Sequence, residues 1–362
     1  MGNTLGKLFT ITCFGESHGD CMAVVVDGCP TGLPLDEADI QQEADKRRPG
    51  TAGTTERREP DRVEIISGVH DGHTTGAPIC MLCWNKDVDS GAYEKNRFAL
   101  RPGHADYTAF TKYGGFNDFR GGGRFSGRIT LAYVMAGAIA RKLIGRLGID
   151  VFAHTVEIGG IKARPQALAD IKEKASQNPL RCADPEAAAK MARLIEQTKA
   201  AKDSLGGIIE GVALGVPAGL GEPVFDNFDG ELAKALFAIP AVKGVAFGAG
   251  FAVANMKGSE NNDLYDIQDG KIITRTNHAG GVLGGISTGM PVIVRVAVKP
   301  TASIARSQET VDIQKMARTS LSVTGRHDTC IVPRAVPVVV AMMAVTICDF
   351  ALQAGLIPRV LT

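Results

Sequence analysis

The sequence predicts one large α/β-type domain spanning residues 1–362. Strand and helix signals interleave along the whole chain, with hairpin-like spacing between many of the strands. No fixed-period repeat, low-complexity tract or break in composition marks a linker. Hydrophobic residues are 44% and charged residues 22% of the 362, enough apolar chain to bury a sizeable core.

Taken in order, Leu8–Cys13 and Met22–Val26 read as short strands around the loop GESHGD. Leu35–Arg47 reads as a helix, because its acidic residues come early and its basic ones late, matching the helix dipole. Pro49-Gly50 ends it, and the charged segment TTERREPDR follows. Val63–Ser67 and Pro78–Cys83 are strand candidates rich in Val, Ile and Cys, and Asn85–Asn96 is a polar loop. Ile129–Leu147 is a helix with little polarity, and Val151–Ile158 is a strand. Residues 163–202 are mostly helical and more charged. Gly207–Val216 alternates as a strand, Gly230–Phe237 is a short helix, and Val242–Met256 carries glycine-punctuated strand signals. Lys257–Asp269 reads as an exposed loop, with strands at Ile272–Arg275 and Val292–Val298. Two helices close the chain, near Glu309–Thr319 and Pro337–Ala354.

Charge excludes one broad class. Lys plus Arg total 40 against 39 Asp plus Glu, a net charge of +1, so a bulk nucleic-acid binder is not expected. The start MGNTLGKLFTITCFG lacks the pattern of a secretion signal, and the apolar stretch Ala335–Cys348 is too short to span a bilayer. A cytoplasmic protein without membrane contact is expected. The eight cysteines then read as reduced thiols. Cys80 and Cys83 have C-x-x-C spacing inside a strand-like run, but no second ligand pair completes a metal site, so no metal is expected.

The chemistry concentrates in Arg101–Arg128, RPGHADYTAFTKYGGFNDFRGGGRFSGR. Three glycines flanked by Arg120, Arg124 and Arg128, ahead of a helix, suggest an anion site built from backbone N–H groups and guanidinium forks. No Gly-Lys-Ser/Thr follows, so this is not a Walker A loop. A second glycine-rich turn, GGVLGG at 280–285, and Lys299-Pro300-Thr301-Ala302-Ser303 offer another phosphate grip. Lys46, Arg47 and Arg48, with Arg57 and Arg58, could supply further cations. Four of the seven histidines, His18, His104, His278 and His327, sit in loops beside glycine or a charged residue, the setting of a general acid or base. His70, His73 and His154 read as ordinary polar residues.

In this order, GESHG, RRPGT, RREPD, RPGHAD, FRGGGR, GVPAGLGEPVFD, NHAGGVLGGISTG, KPTASI and GRHD resemble the chorismate synthase family over almost the whole chain. The resemblance implies a β-α-β sandwich, with a helical layer between antiparallel sheets. It implies a homotetrameric lyase of the shikimate pathway, serving aromatic amino acid biosynthesis. The reaction would be anti-1,4-elimination of phosphate from 5-enolpyruvylshikimate 3-phosphate, giving chorismate. The family needs reduced FMN, although no net redox change occurs. By the same resemblance, His18 and His104 are the acid–base histidines, one near the leaving phosphate and one protonating the flavin. Asp328 would help the flavin accept the proton at C6. FMN contacts would fall on Arg124, Phe125, Ser126, Pro240, Ala241, Gly284, Lys299 to Ser303 and Arg326. Arg47 and Arg48 would lie on the substrate or NADP side.

The chain departs from the commonest family pattern at Phe125, Gly127 and Pro240, where Phe125 removes a hydroxyl and Pro240 an amide. No flavin-reductase domain is evident, so a monofunctional type fed with reduced FMN by an external reductase is implied. A rival class, a flavin reductase or dehydrogenase, would carry a G-x-G-x-x-G turn after a strand, which the sequence lacks. A non-catalytic flavin-binding scaffold is disfavoured because His18, His104 and Asp328 all stand in their motifs.

Overall fold

The computed structural model describes residues 2–48, 60–87, 90–323 and 327–362. Two five-stranded antiparallel sheets enclose a layer of helices. The first sheet runs in the order Thr4–Leu5, Thr10–Gly15, Cys21–Asp27, Ile79–Trp84, Glu64–Ser67. The second runs Val242–Phe247, Val292–Val298, Gly207–Leu214, Asp150–Ile158, Ile161–Lys162. This is the β-α-β sandwich the resemblance implies.

Period-two patterning sets each sheet's inner face. Ile11 and Cys13, Met22, Val24 and Val26, and Ile79, Met81 and Cys83 are all buried, with half-buried or exposed residues at most positions between. Cys80 and Cys83, three apart on one strand, therefore point to opposite faces, which excludes a shared C-x-x-C site.

The helical layer is built on Thr130–Gly145 and the last helix, Val332–Gln353. The former packs on the first sheet and the latter on the second, and the two cross each other. Their approach is close enough to need a glycine: a Cβ on Gly137 would stand 2.4 Å from that of Ala341. On the far side, a Cβ on Gly211 of the second sheet would stand 2.4 Å from Met343 Sδ. The last helix has 22 residues and a mean hydropathy of 2.2, enough by length and composition to cross a membrane, yet nearly all of it is buried in the sandwich. It begins five residues before the expected Pro337, with Pro333 in its first turn, where a missing N–H costs nothing. Near its end, Asp349 accepts the backbone N–H groups of Lys7, Leu8 and Phe9 at 2.7–3.1 Å, tying the start of the chain to the core.

Several elements differ from the sequence reading. The helix expected near Glu309–Thr319 is a hairpin, Gln308–Asp312 paired with Ala317–Leu321. Asp312 Oδ1 accepts the N–H groups of Gln314 and Lys315, and Met316 has φ of 52°, so a side-chain-capped turn replaces the helical one. The expected loop at 257–269 contains the short helix Gly258–Asn261 and the strand Tyr265–Gln268, paired with Lys271–Thr274. Val242–Met256 is a strand only to Phe247, followed by a 3-10 turn at Gly250–Asn255. Residues 163–202 hold two helices, Leu168–Lys174 and Pro185–Ala200. A helix at Asp106–Tyr113, inside the segment singled out for chemistry, went unread.

Candidate active site

A cavity of about 710 Å³ opens where the loops of both sheets meet the N-terminal ends of the two central helices. Its wall includes His18, Arg47, His104, Arg124, Phe125, Ser126, Pro240, Ala241, Lys299 to Ser303, His327 and Asp328. Residues as far apart in sequence as His18 and Asp328 are thus brought together. Arg48 is outside the lining, on the surface, where it pairs with Asp45 at 3.2 Å. Gly284 is also outside it, in the turn between Val282–Leu283 and Ile286–Ser287. Arg326, Arg57 and Arg58 lie outside the described residues.

Of the four loop histidines, three converge here. His278 does not; its ring Nδ1 lies 3.2 Å from Asn261 O, and its N–H is held by Asp263. His18 and His104 meet at the glycine run. Gly121, Gly122 and Gly123 have φ of 58°, 83° and 51°, a conformation that side chains resist. A Cβ on Gly121 would lie 2.3 Å from His18 Cδ2, and one on Gly122 would lie 3.1 Å from His104 Nε2. Consecutive glycines therefore carry one ring each. This differs from the expected anion cradle at a helix start: the glycines lie within the first of two 3-10 turns, the second of which stands between them and the helix at Thr130, and the imidazoles occupy the space beside them.

The three arginines around that turn are engaged within the protein. Arg120 pairs with Asp118 at 2.9 Å. Arg124 donates to Cys13 O, Gly15 O and Asn3 Oδ1 at 2.9–3.2 Å, and Arg128 donates to Asn85 Oδ1 at 2.6 Å and Asp61 Oδ1 at 2.8 Å.

Each histidine is oriented from behind. His18 Nδ1 lies 2.9 Å from Ser90 Oγ, and its ring meets Tyr93 edge-on at 5.2 Å. His104 Nδ1 lies 2.7 Å from Asp106 Oδ1. Burial works against the Asp106 carboxylate, but hydrogen bonds from His104 and Arg101 outweigh it and hold the group well below the usual carboxylate range. His327 is pulled the other way: burial, then the nearby Arg101 cation, lower its pKa and favour the neutral ring.

The cavity floor is a buried ionic cluster. Arg47 donates through Nε to Thr130 Oγ1 at 2.7 Å and through Nη2 to Gly127 O at 3.0 Å, and lies 3.7 Å from Asp61 Oδ2. Arg334 pairs with Asp328 and donates to Arg47 O at 3.2 Å. Burial, and then Arg334, lower the Arg47 pKa from its ordinary value. Among the described residues, seven Lys and Arg side chains line the cavity against two Asp, a surplus of positive charge that suits an anionic occupant. Beside this floor, Thr301 Oγ1 is buried with no hydrogen-bond partner among the described residues, and Lys299 lies near Lys243.

Sequence reading missed Asp61, Asp106, Lys243 and Arg334. Asp106 stood within the quoted RPGHAD and could have been found as a carboxylate two residues from a loop histidine. Arg334 was legible only as a lone cation at the start of an apolar helix.

A layered sandwich whose loop histidines face a cation-rich cavity defines an enzyme that handles protons on an anionic small molecule. The comparisons with known proteins name the family. A family model described as chorismate synthase matches residues 9–352. A chorismate synthase of Dehalococcoides mccartyi is 59% identical over the full length of both chains. Those of Methanocella arvoryzae and Korarchaeum cryptofilum are 55% and 52% identical, covering 98% and 97% of this chain and 96% and 98% of theirs. A crystal structure of chorismate synthase, 30% identical, superposes with a TM-score of 0.76 over 96% of this chain and 93% of that one. The chain belongs to the chorismate synthase family, and its role is in the shikimate pathway.

Proposed function

We propose that this cavity converts 5-enolpyruvylshikimate 3-phosphate to chorismate by anti-1,4-elimination of phosphate, with reduced FMN as cofactor. The observation that carries this reading is the pair His18 and His104, held on adjacent glycines in a wall where, among the described residues, cations outnumber carboxylates seven to two. The substrate bears one phosphate and two carboxylates, which such a wall suits. Arg47 and its neighbours on the floor take the substrate side, with Arg48 outside; any NADP contact belongs to the same side.

The residues present fit FMN. The buried, unpartnered Thr301 Oγ1 beside Lys299 and Lys243 suits a phosphate, and Phe125, Pro240 and Ala241 add an apolar wall suited to the ring. Arg124, Ser126, Pro300, Ala302 and Ser303 complete the proposed contacts, with Arg326 from beyond the described residues. Gly284, expected as an FMN contact, lies outside this lining, and the chain is proposed to form a homotetramer. Exposed apolar side chains on the hairpin at 265–274, Ile267 at 75% and Ile272 at 74%, support such an assembly. Reduced FMN, when bound, lends electron density as the phosphate leaves and recovers it as the C–H bond breaks. His18 and His104, each held through Nδ1, serve as the acid–base residues, and Asp328, oriented by Arg334, serves as the carboxylate at the C–H side.

The continuous core running from Phe9 to Leu361 supports one domain over 1–362. The enzyme is read as monofunctional and cytoplasmic, receiving reduced FMN from an external reductase. Anaerobic incubation with pre-reduced FMN tests the whole reading: phosphate and chorismate should appear together without stoichiometric use of NAD(P)H. Consumption of NAD(P)H in step with product would favour a flavin reductase instead.

A further inference from the structure

Behind His104 lies a pair of side chains whose geometry does more than fill space. Arg101 grips Asp106 on both carboxylate oxygens, Nη2 to Oδ1 at 2.7 Å and Nε to Oδ2 at 2.8 Å, and its backbone N–H donates to Oδ2 at 2.9 Å. The same Oδ1 lies 2.7 Å from His104 Nδ1, while Arg101 Nη2 lies 3.1 Å from that nitrogen. Arg101 side-chain groups can only donate, and an ionised carboxylate can only accept. His104 Nδ1 therefore has two possible partners demanding opposite protonation: a lone pair for Arg101, or a proton for Asp106. The shorter, charge-assisted contact to the carboxylate decides in favour of the proton.

We propose that Asp106, braced by Arg101, is a positioning residue that fixes His104 as the Nδ1–H tautomer and presents Nε2, with its lone pair, to the cavity beside Gly122. The inference rests on His104 being an acid–base residue and adds how its proton is placed. Without the carboxylate, Arg101 would donate to Nδ1 and drive the neutral ring's proton onto Nε2, leaving no lone pair there to take a proton. Asp106 also supplies the counter-charge that lets Nε2 hold a proton and release it later. The brace is tied into the cavity floor: Arg101 Nη1 lies 3.4 Å from Ser303 Oγ. The tie is local in sequence, since Asp106 also opens the helix Asp106–Tyr113, whose positive end favours the ionised carboxylate. Among the described residues, the charged and titratable groups facing His104 are Arg101 and Asp106 on its own segment, and His327, beside Asp328, from the segment before the last helix.

The test uses the full-length protein without flavin, with histidines labelled in carbon-13 and nitrogen-15, and the His104 signal assigned by its loss in His104→Ala. In the wild type, nitrogen shifts of the neutral ring should place the proton on Nδ1. Asp106→Asn should lower the titration midpoint of His104 by about one pH unit, because the imidazolium loses its counter-ion. Arg101→Gln should move the midpoint the other way, because a neighbouring cation is removed; this variant decides the matter even where Asp106→Asn fails to fold. Asp106→Glu should restore most of the shift. In single turnovers with pre-reduced FMN, Asp106→Asn should slow product formation about 10- to 1000-fold, with substrate and FMN affinities near wild type. A proton on Nε2 in the wild type, or an unmoved midpoint in both variants, overturns the proposal. Failure of the underlying reading looks different: His104→Ala would then turn over at the wild-type rate, whatever the tautomer.

Discussion

His104 carries the most at the scale of single residues. A placed histidine contributes roughly 10²–10⁴-fold to a proton transfer. His104→Ala should therefore slow turnover by that range while its thermal transition stays close to wild type; turnover near wild type at saturating reduced FMN rules the role out. Asp328→Asn keeps shape and loses the base. It should bind FMN and substrate yet fail in single-turnover chorismate formation, whereas formation at the wild-type rate would remove Asp328 from the C–H step. His327 makes a prediction about pH. Its folded-state pKa is lowered, chiefly by burial, so folding favours the neutral ring. That contribution is present above the unfolded value of about 6.5 and is lost as the pH falls below it. Urea titrations from pH 7.5 to 5 should show stability declining more steeply in the wild type than in His327→Gln; parallel curves would contradict it. Much of the site was legible at this scale, because motifs such as GESHG, RPGHAD and KPTAS name residues. What sequence could not give was who holds them. Asp328 is paired with Arg334 on the last helix, and that partnership exists only once the helix is packed.

Elements were read well where burial dominated and poorly where turn chemistry did. Val292–Val298, alternating and bounded by turns, was placed to the residue. The hairpin at 308–321 was read as a helix because its apolar spacing fits either period, and the deciding contacts come from Asp312 to its own turn. The helix Thr130–Gly145 shows the opposite case, in which packing overrides propensity. Glycine inside a helix costs roughly 0.5–1 kcal/mol relative to alanine, so Gly137→Ala would stabilise an isolated helix. Here the added methyl would meet Ala341 at 2.4 Å. The variant should lose about 1–3 kcal/mol in chemical denaturation, the cost of overpacking a filled core. A more stable Gly137→Ala would show that the two helices can separate without penalty. Paired with Ala341→Gly, which opens the space, most of the loss should return.

Across the whole molecule, the sandwich is closed by a polar clasp inside an apolar core. Asp349 takes three backbone N–H groups from residues 7–9, which would otherwise be left with no partner as the first strands begin. Asp349→Ala should cost about 1–3 kcal/mol, since the buried N–H of Phe9 and the part-buried N–H groups of Lys7 and Leu8 lose their acceptor at once. Hydrogen exchange should show protection falling first at Lys7–Phe9; a loss spread evenly over both sheets would mean the carboxylate is not a local clasp. Nothing in the sequence near Asp349 announced this role, because its partners lie some 340 residues away.

The position of the last helix has a consequence for synthesis. Both sheets leave the ribosome before the last helix of the layer between them, so a nascent chain ending anywhere before Val332 has two apolar sheet faces and half a filling. Its core cannot close cotranslationally from the N-terminal end, and the arriving segment, Val332–Gln353, has the length and hydropathy that membrane-insertion machinery recognises. A stalled or truncated chain should then be a client for chaperones and proteases rather than a smaller stable protein.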